Sequence, residues 1–204
     1  MTPWLSVVIP TVGRDSLEHT LAALNAQPES AGLEVLVVAD TFGGTTPALK
    51  RAREVVHGAH HQWREYDAGA HCFGQPQRTF GARLARAPYV WFAQDDNIAA
   101  EDALAEIELA IDVQRQQTRP LFFRVRFAWG MEVWREPALR LGNIDADCLV
   151  FPRAIARQVE WGLRYEGDFD AAQQAADLAH GEVVWVDEVV TISRATEADY
   201  WWRR

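Results

Sequence analysis

Three short apolar runs constrain this chain most, because each stops at a polar residue and is followed by a helical pattern. Leu5-Ser6-Val7-Val8-Ile9 is stopped by Pro10, with Thr11 next. Glu34-Val35-Leu36-Val37-Val38-Ala39 ends at Asp40 and is apolar enough to be covered on both faces. Tyr89-Val90-Trp91-Phe92-Ala93 runs into Gln94-Asp95-Asp96-Asn97. Between them lie amphipathic stretches. Asp15 and Glu18 have capping-box spacing ahead of the stripe Leu17, Leu21 and Leu24. Thr46-Pro47 opens a second helix with Leu49, Ala52, Val55 and Val56 inward and Gly58 at its end. Residues 76–87 present Phe80, Leu84 and Ala87, and residues 101–116 present Leu104, Ile107 and Ile111. This βαβαβα order predicts an α/β fold: a mostly parallel central sheet flanked by helices, with right-handed crossovers.

After Pro120 the pattern changes. Residues 121–129 alternate as a strand, and Cys148-Leu149-Val150-Phe151 is another, stopped by Pro152 ahead of a helix carrying Ile155 and Val159. A short Ala-rich helix is expected over 170–180, ended by Gly181, then strands over 183–186 and 189–192. At 204 residues the expectation is a single domain spanning 1–204, with functional halves at 1–118 and 119–204.

A net charge of −9 opposes non-specific attraction to nucleic acid or anionic lipid. A local patch from Arg115, Arg119, Arg124, Arg126, Arg135 and Arg140 keeps a nucleic-acid partner open. Cys72 and Cys148 lack metal-site spacing and read as reduced and buried. The adjacent His60 and His61 point apart on a regular element, which disfavours a metal pair. No apolar stretch reaches the roughly 18 residues of a membrane span, and no signal peptide precedes the first strand, so a cytoplasmic location is expected.

Parallel strands bring their C-terminal ends to one edge, where open α/β sheets bind ligands. Thr11, Asp40, Asp95 and Asp96 should therefore converge. A carboxylate such as Asp40 can accept from a base N–H or ribose hydroxyl, and Asp96 can hold a cation that bridges a diphosphate. Neither GxGxxG nor GxxxxGK[ST] occurs, which disfavours dinucleotide and P-loop sites.

Together these stretches resemble the GT-A fold glycosyltransferases, particularly the large family-two group that uses nucleotide-diphosphate sugars. The resemblance lies in Ser6-Val7-Val8-Ile9-Pro10-Thr11, Glu34 to Asp40, Arg78-Thr79-Phe80-Gly81-Ala82-Arg83, Phe92 to Asn97, and Glu166-Gly167-Asp168-Phe169-Asp170. It implies a Rossmann-like GT-A fold with a C-terminal acceptor-side portion. It also implies that Pro10, Thr11 and Arg14 line the nucleotide pocket, Asp40 contacts the base, and Arg78 lies beside nucleotide and donor sugar. Asp96 matches the metal carboxylate of a DxD-type motif, with Mn2+ or Mg2+ as cofactor, and Asp95 its neighbour facing the donor. Asp168 matches the general base, with Asp170 in reserve; the alternative for both is capping of the following helix. Three positions depart from the pattern: Gln94 replaces an acid, Gly167 replaces the Glu of the ED pair, and Ser193-Arg194 stands where relatives carry a histidine.

The implied function is transfer of a sugar from a nucleotide-diphosphate donor to an acceptor hydroxyl, with inversion, metal assistance and an Asp base. The alternatives are a catalytically inactive nucleotide-sugar-binding module and a nucleotidyltransferase. The acceptor is open among sugar, lipid-linked sugar, protein, small molecule and modified nucleic acid, and so is the oligomeric state. Nine tryptophans offer rings for apolar sugar faces, and Trp129, Trp134 and Trp161 are the acceptor-platform candidates, with core packing as their other role. The Tyr200-Trp201-Trp202-Arg203-Arg204 end is unusual for an exposed tail.

Overall fold

In the computed structural model, which describes residues 2–57, 60–114 and 118–194, all three apolar runs are strands. In chain order the regular elements are β1 (Leu5–Thr11), α1 (Leu17–Asn25), β2 (Leu33–Asp40), α2 (Pro47–Glu54), β3 (His61–Tyr66), α3 (Gln75–Leu84), β4 (Tyr89–Phe92), β5 (Asn97–Ala99), α4 (Ala103–Gln114), β6 (Leu121–Phe127), β7 (Glu132–Val133), β8 (Leu149–Pro152), α5 (Arg153–Ala156), α6 (Gly167–Leu178) and β9 (Val184–Ser193).

One sheet runs in the order β3-β2-β1-β4-β8-β6-β9-β5, with β7 paired to β6. Its first four strands are parallel. β8 then joins antiparallel to β4 and β6, β9 runs parallel to β6, and β5 pairs antiparallel with β9. Val8 lies opposite Phe92, a register that carries the end of β1 to the level of the Asp95-Asp96 turn. Because side chains alternate, Val8, Leu36, Val38 and Phe92 enter one core, and Val7, Ile9, Val35, Val37 and Trp91 enter the other. Helices cover both faces, so β1 and β2 are buried throughout. The one carboxylate in β2 before its end, Glu34, is also buried; it accepts from Ser6 Oγ at 2.6 Å, Gln62 Nε2 at 3.1 Å and the Arg86 amide at 2.8 Å.

Several local expectations change. Ser16, not Asp15, is the N-cap of α1, and its side chain makes no capping bond. Thr46 does cap α2, accepting from the Leu49 amide at 3.1 Å, but that helix ends at Glu54, and Gly58 lies outside the described residues. The Asp-Asp turn leads first into β5, which pairs with β9, and only then into α4. The two expected final strands are one, β9; its pairing with β6 shifts register where Asp187 and Glu188 interrupt the apolar pattern. Helix α6 starts three residues early, at Gly167, which puts Asp168 and Asp170 inside its first turn rather than before it. Both cysteines are free and buried. Among the described residues no helix is long and apolar enough to cross a membrane.

Candidate active site

The strand ends meet at a cleft of about 320 Å³, lined by Pro10, Thr11, Arg14, Asp40, Arg78, Asp95, Asp96 and Asp168. The loop after β1 turns sharply at Gly13 (φ +92°), where a Cβ would come within 2.7 Å of the Ala48 carbonyl carbon. Its amide donates to Thr11 Oγ1 at 2.9 Å, and Thr11 in turn donates to Asp95 Oδ2 at 2.6 Å. Arg14 completes the arrangement, bonding Asp95 Oδ1 and standing 3.3 Å from Asp96 Oδ2. The two adjacent carboxylates therefore differ. Asp95 is buried and engaged on both oxygens; burial pushes its pKa up and Arg14 pulls it back. Asp96 keeps 38% of its side chain exposed.

Behind them lies a second acidic pair that the sequence reading missed, Asp145 and Asp147. Gln94 holds it: its Nε2 donates to Asp145 Oδ1 and its amide to Asp147 Oδ1, both at 2.9 Å. Asn97 Nδ2 donates to Asp147 Oδ2, and Asn97 Oδ1 accepts from the Arg194 amide at 3.2 Å. This explains why an amide stands at position 94. An acid there would set a third carboxylate against Asp145, whereas Gln94 offers a donor. Burial raises the pKa of both aspartates, and the charge of Asp145 adds to the rise at Asp147. The signal available in the sequence was the spacing Asp145-Ala146-Asp147 just before an apolar strand.

Arg78 is the buried counter-charge. Its Nη1 donates to the Phe73 carbonyl at 2.9 Å and to Gln75 Oε1 at 3.4 Å, and its guanidinium lies 5.1 Å from the Trp161 ring centre. Burial lowers its pKa; the charges of Asp147, Asp145, Asp168 and Asp95 oppose that. Asp168 faces the same cleft, and burial together with the charge of Asp145 pushes its pKa up to about 7. Asp170 does not line the cleft; it forms a two-pronged ion pair with Arg164, whose hydrogen bonds lower its pKa. Neither residue caps α6, whose N-cap position is Glu166.

Asp40 is bound within the protein on both oxygens. Oδ1 accepts from the Phe42 amide at 3.0 Å, and Oδ2 is 2.8 Å from His71 Nδ1.

The tryptophan candidates do not form a platform. Trp134 is buried and donates to the Phe122 carbonyl at 3.0 Å; Trp161 is buried under Arg78; Trp129 stacks on Phe127 with ring centres 4.7 Å apart. None of the three lines the cleft. The aromatic rings at its mouth are Phe73 and Tyr165, 63% and 50% exposed and in edge contact at 5.4 Å. Phe73 holds φ at +54°, a region that bulky side chains rarely adopt. Of the six arginines that could form a basic patch, Arg124 and Arg126 pair with Glu132, and Arg140 with Glu136. Arg115 and the Tyr200–Arg204 end lie outside the described residues.

Among the described residues no group of three or more His, Cys, Asp or Glu is arranged to hold a metal ion. A cation at the Asp-Asp turn would be held by Asp96, the more exposed carboxylate of the pair. One carboxylate with phosphate oxygens and water suits Mg2+ or Mn2+, so the donor set fits a cation that arrives with a diphosphate.

No protein-family model and no curated protein sequence matches the chain. Solved structures do. S. aureus TarS 1–349 in complex with UDP-GlcNAc superposes with a TM-score of 0.72 at 14% identity, over 95% of this chain and 59% of that one. The same TarS fragment with UDP gives 0.69 at 16% identity, over 96% and 62%. Mannosyltransferase PcManGT from Pyrobaculum calidifontis, in complex with GDP-Man and Mn2+, gives 0.66 at 18% identity, over 98% and 59%. The chain thus spans less than two thirds of the length of each. At these identities the likeness is one of fold: the chain has the GT-A glycosyltransferase fold that its sequence resembles.

Proposed function

We propose that this chain transfers a sugar from a nucleotide-diphosphate donor to an acceptor hydroxyl, with inversion. The observation that carries the reading is the meeting of Asp168 with Arg14 and Asp96 in one cleft. A donor diphosphate needs positive charge at one end of the reaction, and an acceptor hydroxyl needs a base at the other. Structures of the same fold hold UDP-GlcNAc, UDP and GDP-Man, which supports a nucleotide-sugar donor here.

In this reading residues 1–118 bind the donor, and residues 119–204 supply the base and the acceptor surface. Thr11 and Asp95 hold Arg14 toward the diphosphate, and Arg78 lends buried positive charge beneath it. A divalent cation held at Asp96 would neutralise charge that develops on the leaving group. Asp168 takes the acceptor proton as the new glycosidic bond forms. A base that titrates at about pH 7 is half ionised near neutrality and still basic enough to accept that proton. Attack from the face opposite the leaving group inverts the anomeric centre.

The test is a panel of nucleotide sugars, scored by release of nucleoside diphosphate with and without Mn2+. Release from one donor and not from its isomers is the expected result. Saturable donor binding with no release at any pH from 5 to 9 would instead make the chain a nucleotide-sugar-binding module.

A further inference from the structure

Asp40 ends β2 at the position where a carboxylate would meet the base, yet neither of its oxygens is open. The Phe42 amide takes one and His71 Nδ1 the other, and the Asp40 side chain is only 4% exposed. His71 is the reverse, 65% exposed on the cleft wall, with its ring edge against Phe42 at 5.0 Å. A carboxylate only accepts, so the proton on this bond belongs to Nδ1. With a single ring proton, that bond places it on Nδ1 and leaves Nε2 as an outward acceptor, with no hydrogen-bond partner among the described residues.

A second observation points to the same place. Gln77 is fully buried on α3, lines the cleft, and has neither amide atom hydrogen-bonded. It lies one turn before Gly81, which packs between Val8 of β1 and Val38 of β2, and before Phe80, which stacks on Tyr66, the strand partner of Asp40. An unpaired buried amide is costly, and a polar ligand relieves that cost.

We propose that His71, held by Asp40, reads the nucleobase, and that it selects a base with a ring N–H, uracil or guanine, over adenine or cytosine. The inference rests on the nucleotide-sugar reading above and adds the base class. Uracil N3–H and guanine N1–H donate to an acceptor, and each is flanked by a carbonyl that the Gln77 amide can serve. Adenine N1 and cytosine N3 are acceptors and would face Nε2 with like polarity.

The experiment is calorimetric binding of UDP, GDP, ADP and CDP, with Mn2+ present, to wild type, His71→Ala, Asp40→Ala and the double variant, each checked for a native melting transition. Wild type should prefer UDP or GDP. His71→Ala should lose roughly tenfold of that preference, in the range for a base N–H left unpaired. Asp40→Ala should lose about as much, and the double variant no more than either, because the two residues act as one unit. Full base preference in His71→Ala, lost only in Asp40→Ala, would overturn the inference and return base reading to Asp40 with the nucleotide reading intact. A wild-type preference for ADP or CDP would also overturn it. Failure of all four diphosphates to bind wild type would overturn the nucleotide reading itself. If Asp40→Ala does not fold, Asp40→Asn replaces it, and the same comparison decides.

Discussion

Gln75 and Gly167 meet so closely that a Cβ on Gly167 would stand 2.7 Å from Gln75 Nε2 and 2.7 Å from the Gly162 carbonyl oxygen. The amide of Gln75 thus occupies the space where the resemblance calls for a glutamate ahead of Asp168. This residue also accepts from Arg78, so the departure at 167 couples α3 to the start of α6. Gly167→Ala should lower stability by about 1–3 kcal/mol, as overpacking against fixed backbone does. Gln75→Ala should recover only part of that loss, because the Gly162 carbonyl remains. Thermal melts of the two single variants and the double variant measure both terms; an unchanged melting temperature in Gly167→Ala would contradict the close contact.

Asp95 and Asp96 are neighbours with separate tasks, and substitution should separate them. Asp96→Ala should remove the Mn2+-dependent part of nucleoside-diphosphate affinity with little change in melting temperature, because Asp96 is part-exposed and makes one long contact to Arg14. Asp95→Ala should destabilise the fold, since it strands Thr11 and Arg14 beside a buried site. Equal metal-dependent binding by Asp96→Ala and wild type would remove the cation from this turn.

Trp129, Trp134 and Trp161 do not line the cleft, whereas the exposed rings of Tyr165 and Phe73 do. Tyr165→Ala should raise acceptor KM about five- to tenfold, the scale of one lost aromatic contact. Donor hydrolysis by water should stay unchanged, because Tyr165 precedes Asp168 on the half proposed to bind the acceptor. Tyr165→Phe should behave as wild type if the ring face is what matters. The readout is transfer against hydrolysis for each variant, and equal losses in both would make the ring a donor contact.

The parallel strands were legible because each buried run is β-branched or aromatic and stops on a polar residue, so Thr11, Asp40, Asp95 and Asp96 reach one cleft as their order predicts, while Asp168 joins them from the first turn of α6. What was not legible depends on contacts distant in sequence. Gln94 gains meaning only from Asp145, 51 residues away, and Asp40 only from His71, 31 residues away. Tryptophan count left two roles open for a related reason: composition cannot tell a ring at a cleft from one under Arg78. β5 was hidden by its length, three residues whose pairing partner is β9, far along the chain.

Asp168 carries the sharpest pH prediction. Burial and the negative charge of Asp145 disfavour its ionised form, which raises its pKa to about 7. Between the ordinary carboxylate range, about 4, and that value, the folded protein holds a proton here that the unfolded chain has released. This contribution to stability is therefore complete below about pH 4 and is lost as pH rises through about 7. Activity should move the other way, since only the ionised carboxylate accepts the acceptor proton: kcat/KM, which reports the free enzyme, should climb to a plateau with its midpoint near pH 7. Asp168→Asn cannot titrate, so it should lose roughly 10²–10⁴ in transfer rate, keep donor affinity, and gain stability over wild type at pH 8 relative to pH 4. Asp170→Asn should retain transfer and lose only its ion pair with Arg164. Melting curves and transfer rates from pH 4 to 9 for the three proteins decide the matter. Undiminished transfer by Asp168→Asn, with the same midpoint, would take Asp168 out of the mechanism.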